Sequence, residues 1–307
     1  MEQAAIKREG KLFKGHDAAI SSLLFHPDGK HFLSGSYDDT VKLWDIANAA
    51  IVREFKGHTS WIRQVCLSPD GTQILTCSID MTFRVWDFHS GKEEYKHTGQ
   101  SSVQSVAYDP ATGNILVGYE NGRVSLWNLE SRKEIIVYGE HMTGAIYVAV
   151  SPSGQYTAAA IHNVVHVWEK SSGEQVMRIE NRARIRALHF LKNDSQILVS
   201  GEDGTVKLWN FIDKREDARF AAKNKWINGF TLAQDEQTLA LVSDEWKDQK
   251  ETLMTVRIYS FGNPDKPIKE CYLAGGHKTS ISTATFSSDL TSLLTGGNDH
   301  NIYLWQL

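Results

Sequence analysis

Residues 40–45 read TVKLWD, and the phrase returns as TFRVWD (82–87), RVSLWN (123–128), VVHVWE (164–169), TVKLWN (205–210) and NIYLWQ (301–306). Trp44, Trp86, Trp127, Trp168 and Trp209 stand 42, 41, 41 and 41 residues apart. The 96 residues from Trp209 to Trp305 leave room for one degenerate unit with extra loop. TVRIYS (255–260) fills it, with Tyr259 where a tryptophan would stand. That makes seven units. Each phrase alternates in the period of a β-strand, so Val41 and Leu43 point one way and Trp44 the other.

A second mark precedes the units. Gly15-His16, Gly57-His58 and Gly276-His277 are clear, and His141 is a partial match. After each comes an apolar alternating run, then a turn such as HPDG, SPDG or SPSG, then another apolar run. Each unit thus yields four short strands, and a single four-stranded sheet cannot bury both faces alone; stacking sheets around an axis can. The spacing of about 42 residues, with GH early and WD late, resembles the WD40-repeat family over nearly the whole chain. The resemblance implies an all-β fold, a seven-bladed β-propeller forming one domain over residues 1–307. The C-terminus stops after the third strand of blade seven. REGKLFKGH (8–16) matches IVREFKGH (51–58), the outer strand of blade one running onward, so residues 9–14 are expected to supply the missing strand and close the ring.

The chain has 307 residues, 41% hydrophobic and 23% charged, which fits a folded soluble protein. Net charge is −4, so no global positive field draws the chain to nucleic acid or an acidic membrane. Cys66, Cys77 and Cys271 form an odd count without CxxC, arguing against a disulfide framework or zinc site. MEQAAIKREGK has no apolar segment of a signal peptide, and no apolar run is long enough to span a membrane. The expected setting is reduced and cytoplasmic, with the nucleus open.

WD40 blades often share a hydrogen-bonded set: the GH histidine, a Ser or Thr in strand two, an Asp in the next turn and the strand-three Trp. The set is present in blade one (His16, Ser34, Asp38, Trp44), blade two (His58, Thr76, Asp80, Trp86) and blade seven (His277, Thr295, Asp299, Trp305). Blades three and five lack the histidine, and there the hydroxyl is replaced by Val117 and Val199. Parts that come and go together indicate a structural network, since buried polar groups need partners. Ser, His and Asp are also the alphabet of a hydrolase triad, but repetition at matched repeat positions argues for structure.

No phosphate-binding glycine loop, dinucleotide fingerprint, HExxH, GxSxG or calcium loop is present. His162 and His166 lie four apart. On one strand they are expected to face the same side, but they lack a third ligand, and His162 stands where the turn Asp would be, so a variant turn is preferred over a metal site. Glu93-Glu94 reads as solvated charge in a connection. No catalytic residues, no metal and no cofactor are expected.

In the family, the loops leading into each blade and the turns between strands two and three open on the top face. Carried over blade by blade, the positions around the channel are Ala19, Ser21 and Tyr37; Trp61, Arg63 and Ile79; Ser102, Gln104 and Glu120; Gly144, Ile146 and Ile161; Arg184, Arg186 and Glu202; Trp226, Asn228 and Asp244; and Ser280, Ser282 and Asn298. Trp61 and Trp226 are not repeat tryptophans, and Trp beside Arg is hot-spot composition. Arg182, Arg184 and Arg186 alternate with Ala183, Ile185 and Ala187, which on a strand would gather three guanidinium groups on one side, fit for carboxylates or a phosphate, or paired with Glu180 or Glu202. Blade six inserts residues 245–253 (EWKDQKETL), with Trp246 expected at the tip of a contact loop.

The expected function is a protein–protein interaction scaffold or adaptor binding a peptide or protein segment on its top face, monomeric by itself within a larger complex. The alternatives are a substrate-recognition subunit and a reader of phosphorylated or acidic peptides. Receptors of one ubiquitin-ligase class carry WDxR, whereas this chain has WDIA and WDFH, which weakens the first alternative. A propeller enzyme ranks last.

Overall fold

The computed structural model describes residues 10–139, 146–222, 227–233, 235–247, 251–273 and 276–307. Their regular structure is all strand: seven antiparallel four-stranded sheets, six of them built from four consecutive strands. Blade one runs Ile20–Phe25, His31–Ser36, Val41–Asp45 and Ala50–Phe55, from the channel outward.

The alternation of each blade decides what it packs on. Leu33, Val41, Leu43 and Phe55 of blade one meet Ile62, Ile74 and Trp86 of blade two. Phe32 and Trp44 turn the other way, onto Leu294, Ile302 and Leu304 of blade seven. The core is therefore divided into seven apolar clusters, one between each pair of neighbouring blades. Full burial of each such aliphatic or Phe side chain is worth about 1.5–3 kcal/mol, so the seams hold the ring together.

The seventh sheet closes the circle. Its inner strands are Ile281–Phe286, Ser292–Gly297 and Ile302–Gln306, and its outer strand is Lys11–Phe13 from the N-terminus. Lys11 pairs with Leu304, Leu12 with Tyr303 and Phe13 with Ile302. The strand is shorter than the expected 9–14, and residue 9 lies outside the described residues. Phe13 sets its ring edge against Phe32 (4.9 Å) and Trp44 (5.9 Å), and Lys11 Nζ donates to the carbonyls of Ile46 (2.7 Å) and Ala47 (2.6 Å).

Blade six keeps the architecture without the tryptophan. Tyr259 is buried in its place and donates its hydroxyl to the Ala221 carbonyl at 2.8 Å. The insertion continues the blade as a hairpin: Thr238–Lys247 and Glu251–Ser260 stay paired out to Lys247 and Glu251. Residues 248–250 and the side chain of Trp246 lie outside the described residues.

Candidate partner-binding face

The inner strand begins in the same way in six blades. Ile20 pairs with Ser36, but the next pair is Ser22 with Gly35, so Ser21 is left over as a β-bulge. The same skip leaves over Arg63, Gln104, Arg186, Asn228 and Ser282. Just before each bulge, the backbone carbonyl of one rim residue accepts the N–H of another: Ala19 from Tyr37 (2.9 Å), Trp61 from Ile79 (3.1 Å), Ser102 from Glu120 (2.9 Å), Arg184 from Glu202 (2.9 Å) and Ser280 from Asn298 (3.1 Å). Residues expected on the top face thus occupy one recurring place in five blades. A bulge re-aims the side chain it carries, which is how a strand entering the core can present a residue at its end.

Blade four departs from this. Ile146 through Val150 pair without a skip, and Ile146 opposite Ile161 takes the register of Ile20, Ile62 and Val103. The expected rim position of Ile146 was one residue out of register, because the sequence before it lacks a clear GH mark. Ile161 is buried with Leu116 and Val148 rather than on the rim. Gly144, the side chain of Ile146, Trp226 and the side chain of Asp244 lie outside the described residues, as does His141.

The best-formed group lies across the seam of blades one and two. The Trp61 ring is stacked on Tyr37 with centroids 4.7 Å apart, yet Trp61 remains 49% exposed. Arg63 Nη1 donates to the Tyr37 hydroxyl at 3.0 Å. Arg63 Nε is buried with no hydrogen-bond partner among the described residues, as is Ser21 Oγ at the bulge of blade one. The group offers a half-exposed aromatic face and a guanidinium held beside it.

Other rim residues are committed elsewhere. Asn228 Nδ2 donates to the Ile281 carbonyl (2.8 Å), and Ser282 Oγ to that of Ile20, so both tie neighbouring blades. Gln104 is half-buried and Glu120 exposed. Arg186 faces Glu202 at 3.7 Å. The three arginines do not share a strand face: Arg182 and Arg184 precede strand Ile185–Phe190, and Arg186 sits at its bulge, so the alternation rule does not reach across them. Arg182 and Arg184 are exposed.

The polar sets form closed chains. In blade one the Trp44 indole N–H donates to Ser34 Oγ (2.7 Å), which lies 2.7 Å from His16 Nε2, while His16 Nδ1 lies 2.7 Å from Asp38. The donor count fits the hydroxyl proton on Nε2 and the imidazole proton on Nδ1, facing the carboxylate. Blade two repeats this at 3.0, 2.8 and 2.8 Å through Trp86, Thr76, His58 and Asp80. Blade seven does so at 2.9, 2.9 and 2.8 Å through Trp305, Thr295, His277 and Asp299. Burial would raise the Asp38, Asp80 and Asp299 carboxyls, but the bonds from the histidines and the turn hold all three below the usual carboxylate range. Burial pushes the His58 imidazole down. Ser34, Thr76 and Thr295 are 0% exposed, so none presents its hydroxyl to solvent.

Blade five carries a substitute set that the repeat pattern did not reveal. Asn181 occupies the histidine place and accepts from Lys207 Nζ, which also lies 3.4 Å from Asp203. With Val199 in place of the hydroxyl, the buried Trp209 indole N–H has no partner among the described residues. His162 and His166 do not share a strand. His162 sits in the turn at φ 55°, and buried His166 places Nδ1 2.7 Å from Gln175. Glu93 and Glu94 open the outer strand of blade two rather than a loop, bonded to Arg84 (2.6 Å) and Gln73 (2.6 Å). Among the described residues no group of three His, Cys, Asp or Glu could hold a metal.

Comparison with known proteins places this ring. The family model described as IFT122 first beta-propeller matches residues 7–249, and that of the WD domain, G-beta repeat, matches residues 266–306. Apoptotic protease-activating factor 1 of Rattus norvegicus is 26% identical over 96% of this chain but only 22% of its own length. Actin-interacting protein 1 of Drosophila melanogaster is 24% identical over 96% of this chain and 48% of that protein. Protein LST8 homolog of Drosophila melanogaster is 27% identical over 42% of this chain and 44% of that protein. The chain spans less than half the length of the first two.

Proposed function

The chain belongs to the IFT122 first beta-propeller family of WD40-repeat proteins, and from that premise we propose that it is a protein–protein interaction scaffold that grips a segment of a partner on its top face. The observation that carries this is the Trp61 group. A Trp half in water, oriented by a stacked Tyr37 and flanked by an Arg63 held on the Tyr37 hydroxyl, has the composition of a binding anchor. One relative is named for interacting with actin, another protein. In this reading the chain assembles rather than catalyses, binds no cofactor and works in the cytoplasm.

A second reading rests on Arg182 and Arg184, which are exposed and have no acidic partner among the described residues. They suit a partner segment that is acidic or phosphorylated.

The test is quantitative co-purification from the native cell, comparing wild type with a folded Trp61→Ala variant and a folded Arg182→Ala/Arg184→Ala variant. Partners lost with Trp61→Ala support the top-face scaffold. Partners lost only with the arginine variant select the second reading, and those also lost from wild type after phosphatase treatment of the lysate are the phosphorylated ones. Survival of every partner in both variants overturns the top-face proposal.

A further inference from the structure

Blade three differs from blades one, two and seven where those carry the polar set. Gly99, Val117 and Asn121 stand where blade two has His58, Thr76 and Asp80, and Val117 opposite Ser125 repeats the register of Thr76 opposite Arg84. The His97 ring and the buried Tyr119 pack beside Trp127 instead, and a cleft of about 500 Å³ lined by all three opens between the outer strand of blade two and blade three. Its volume is within the range of small-molecule sites.

The lining restricts the ligand. Trp127 is half-buried, with the His97 ring 4.1 Å away, and its indole N–H is already given to Ser125 Oγ at 2.9 Å. With Phe83 also against it at 5.8 Å, the part of Trp127 that lines the cleft is aromatic carbon rather than a donor. Arg123 reaches both oxygens of Glu134, Nη2 at 2.7 Å and Nε at 3.3 Å. A charged ligand would have to break that bidentate pair, whereas a neutral one leaves it whole. Burial lowers the His97 imidazole, which favours its neutral form beside the Arg123–Glu134 pair. Gln100 and Asn121, also in the lining, are exposed carboxamides carrying donors beside an acceptor, and Asn121 Oδ1 takes the Arg123 backbone N–H (3.1 Å) with one of its two lone pairs. A neutral, flat, heteroaromatic ring with donor and acceptor on one edge satisfies all of these. Carboxamides pair best with the adenine edge, and bases stack on indole faces whatever their identity.

We infer that this cleft is a binding site for a nucleobase, adenine in preference to the others, taken up as a free nucleoside whose ring lies against Trp127 and whose edge meets the Gln100 and Asn121 carboxamides. The site is separate from the top-face group and does not depend on it.

The full chain is titrated with adenosine, guanosine, cytidine and uridine by calorimetry and by the indole ¹H–¹⁵N signals, with Trp127→Phe assigning the Trp127 peak. Saturable binding with adenosine tightest, and a shift confined to the Trp127 signal, is the expected result. Gln100→Ala/Asn121→Ala, both exposed and so compatible with an unchanged melting temperature, should weaken adenosine at least about tenfold, the loss of one good carboxamide–base pair. Absence of saturation at millimolar nucleoside, or binding untouched by the double variant, overturns the inference. A single-stranded oligoadenylate is the second probe. The net charge of −4 predicts that it binds no tighter per base than adenosine. Tighter binding overturns the free nucleoside as the ligand.

Discussion

The Trp61 ring lies on the Tyr37 ring, 18° from parallel and 4.7 Å between centroids, and the two come from different blades. The stack bridges the seam between blades one and two, and the Arg63 bond to the Tyr37 hydroxyl fixes the lower ring. Trp61 is thus oriented by its neighbour rather than by burial, so removing the neighbour should scatter it. Tyr37→Phe keeps the stack and loses one hydrogen bond, costing about 1 kcal/mol in chemical denaturation with partner binding retained. Tyr37→Ala also loses the stack, worth about 0.5–1.5 kcal/mol more, and should weaken partner binding as Trp61→Ala does. If the Phe variant binds as poorly as the Ala variant, the Arg63 contact and not the stack sets the anchor.

The polar chains predict opposite effects at two equivalent positions. Thr76→Val strips His58 and Trp86 of their shared partner and leaves two buried polar groups unpaired, at a cost of about 2–5 kcal/mol. Blade five already lives with half of that defect: Val199 faces Lys207 in the register of Thr76 facing Arg84, and the Trp209 N–H is unpaired. Val199→Thr supplies an acceptor of nearly the same shape and should stabilise by about 0.5–1.5 kcal/mol. Urea denaturation of both variants checks the pair. A destabilised Val199→Thr would show that its hydroxyl fails to reach the indole.

The ring itself was legible because one tryptophan per unit fixes the phase, and phase fixes which residues meet across a seam: Val41 and Leu43 toward one neighbour, Trp44 toward the other. The rim was legible wherever a GH mark or a turn Asp anchored the register. It failed in blade four, whose two-residue turn at His162 and Asn163 and unbulged inner strand shift Ile146 by one position. The arginine alternation misled because a period-two argument holds only within a continuous strand, and a bulge interrupts it at Arg186. The cleft at Trp127 could not be seen in the sequence. Gly99, Val117 and Asn121 register there only as departures from the repeat, and how His97, Tyr119 and Trp127 pack around them follows from no repeat pattern.

Acid should unfold the ring in two stages. His58 is held below its ordinary value of 6.5 by burial, so the unfolded chain takes up that proton first. The stability tied to neutral His58 is complete above about pH 6.5 and declines as pH falls below it. Asp38, Asp80 and Asp299 are depressed, so their contribution is complete above the ordinary carboxylate value of about 4 and is lost as pH falls further. Melting temperature against pH should be level near neutrality, dip below about 6.5 and fall steeply below about 4. Asp80→Asn should lower the plateau and flatten the acid limb. An unchanged acid limb in that variant would remove Asp80 from the account.

Closure by the N-terminal strand gives the most direct test of the ring. Phe13 is 1% exposed and sits in the seam with Ile20, Phe32, Trp44 and Leu294, so Phe13→Ala should cost about 3–5 kcal/mol. Deleting residues 1–14 removes the Phe13 ring, the Lys11 bonds to Ile46 and Ala47, and the strand pairing with Ile302–Leu304. It also leaves that strand as a bare edge, which invites pairing with another chain. The truncated protein should melt well below the full chain and gain concentration-dependent oligomers in size-exclusion chromatography. A truncated monomer that melts like the full chain would mean that the seam between blades seven and one holds without its outer strand.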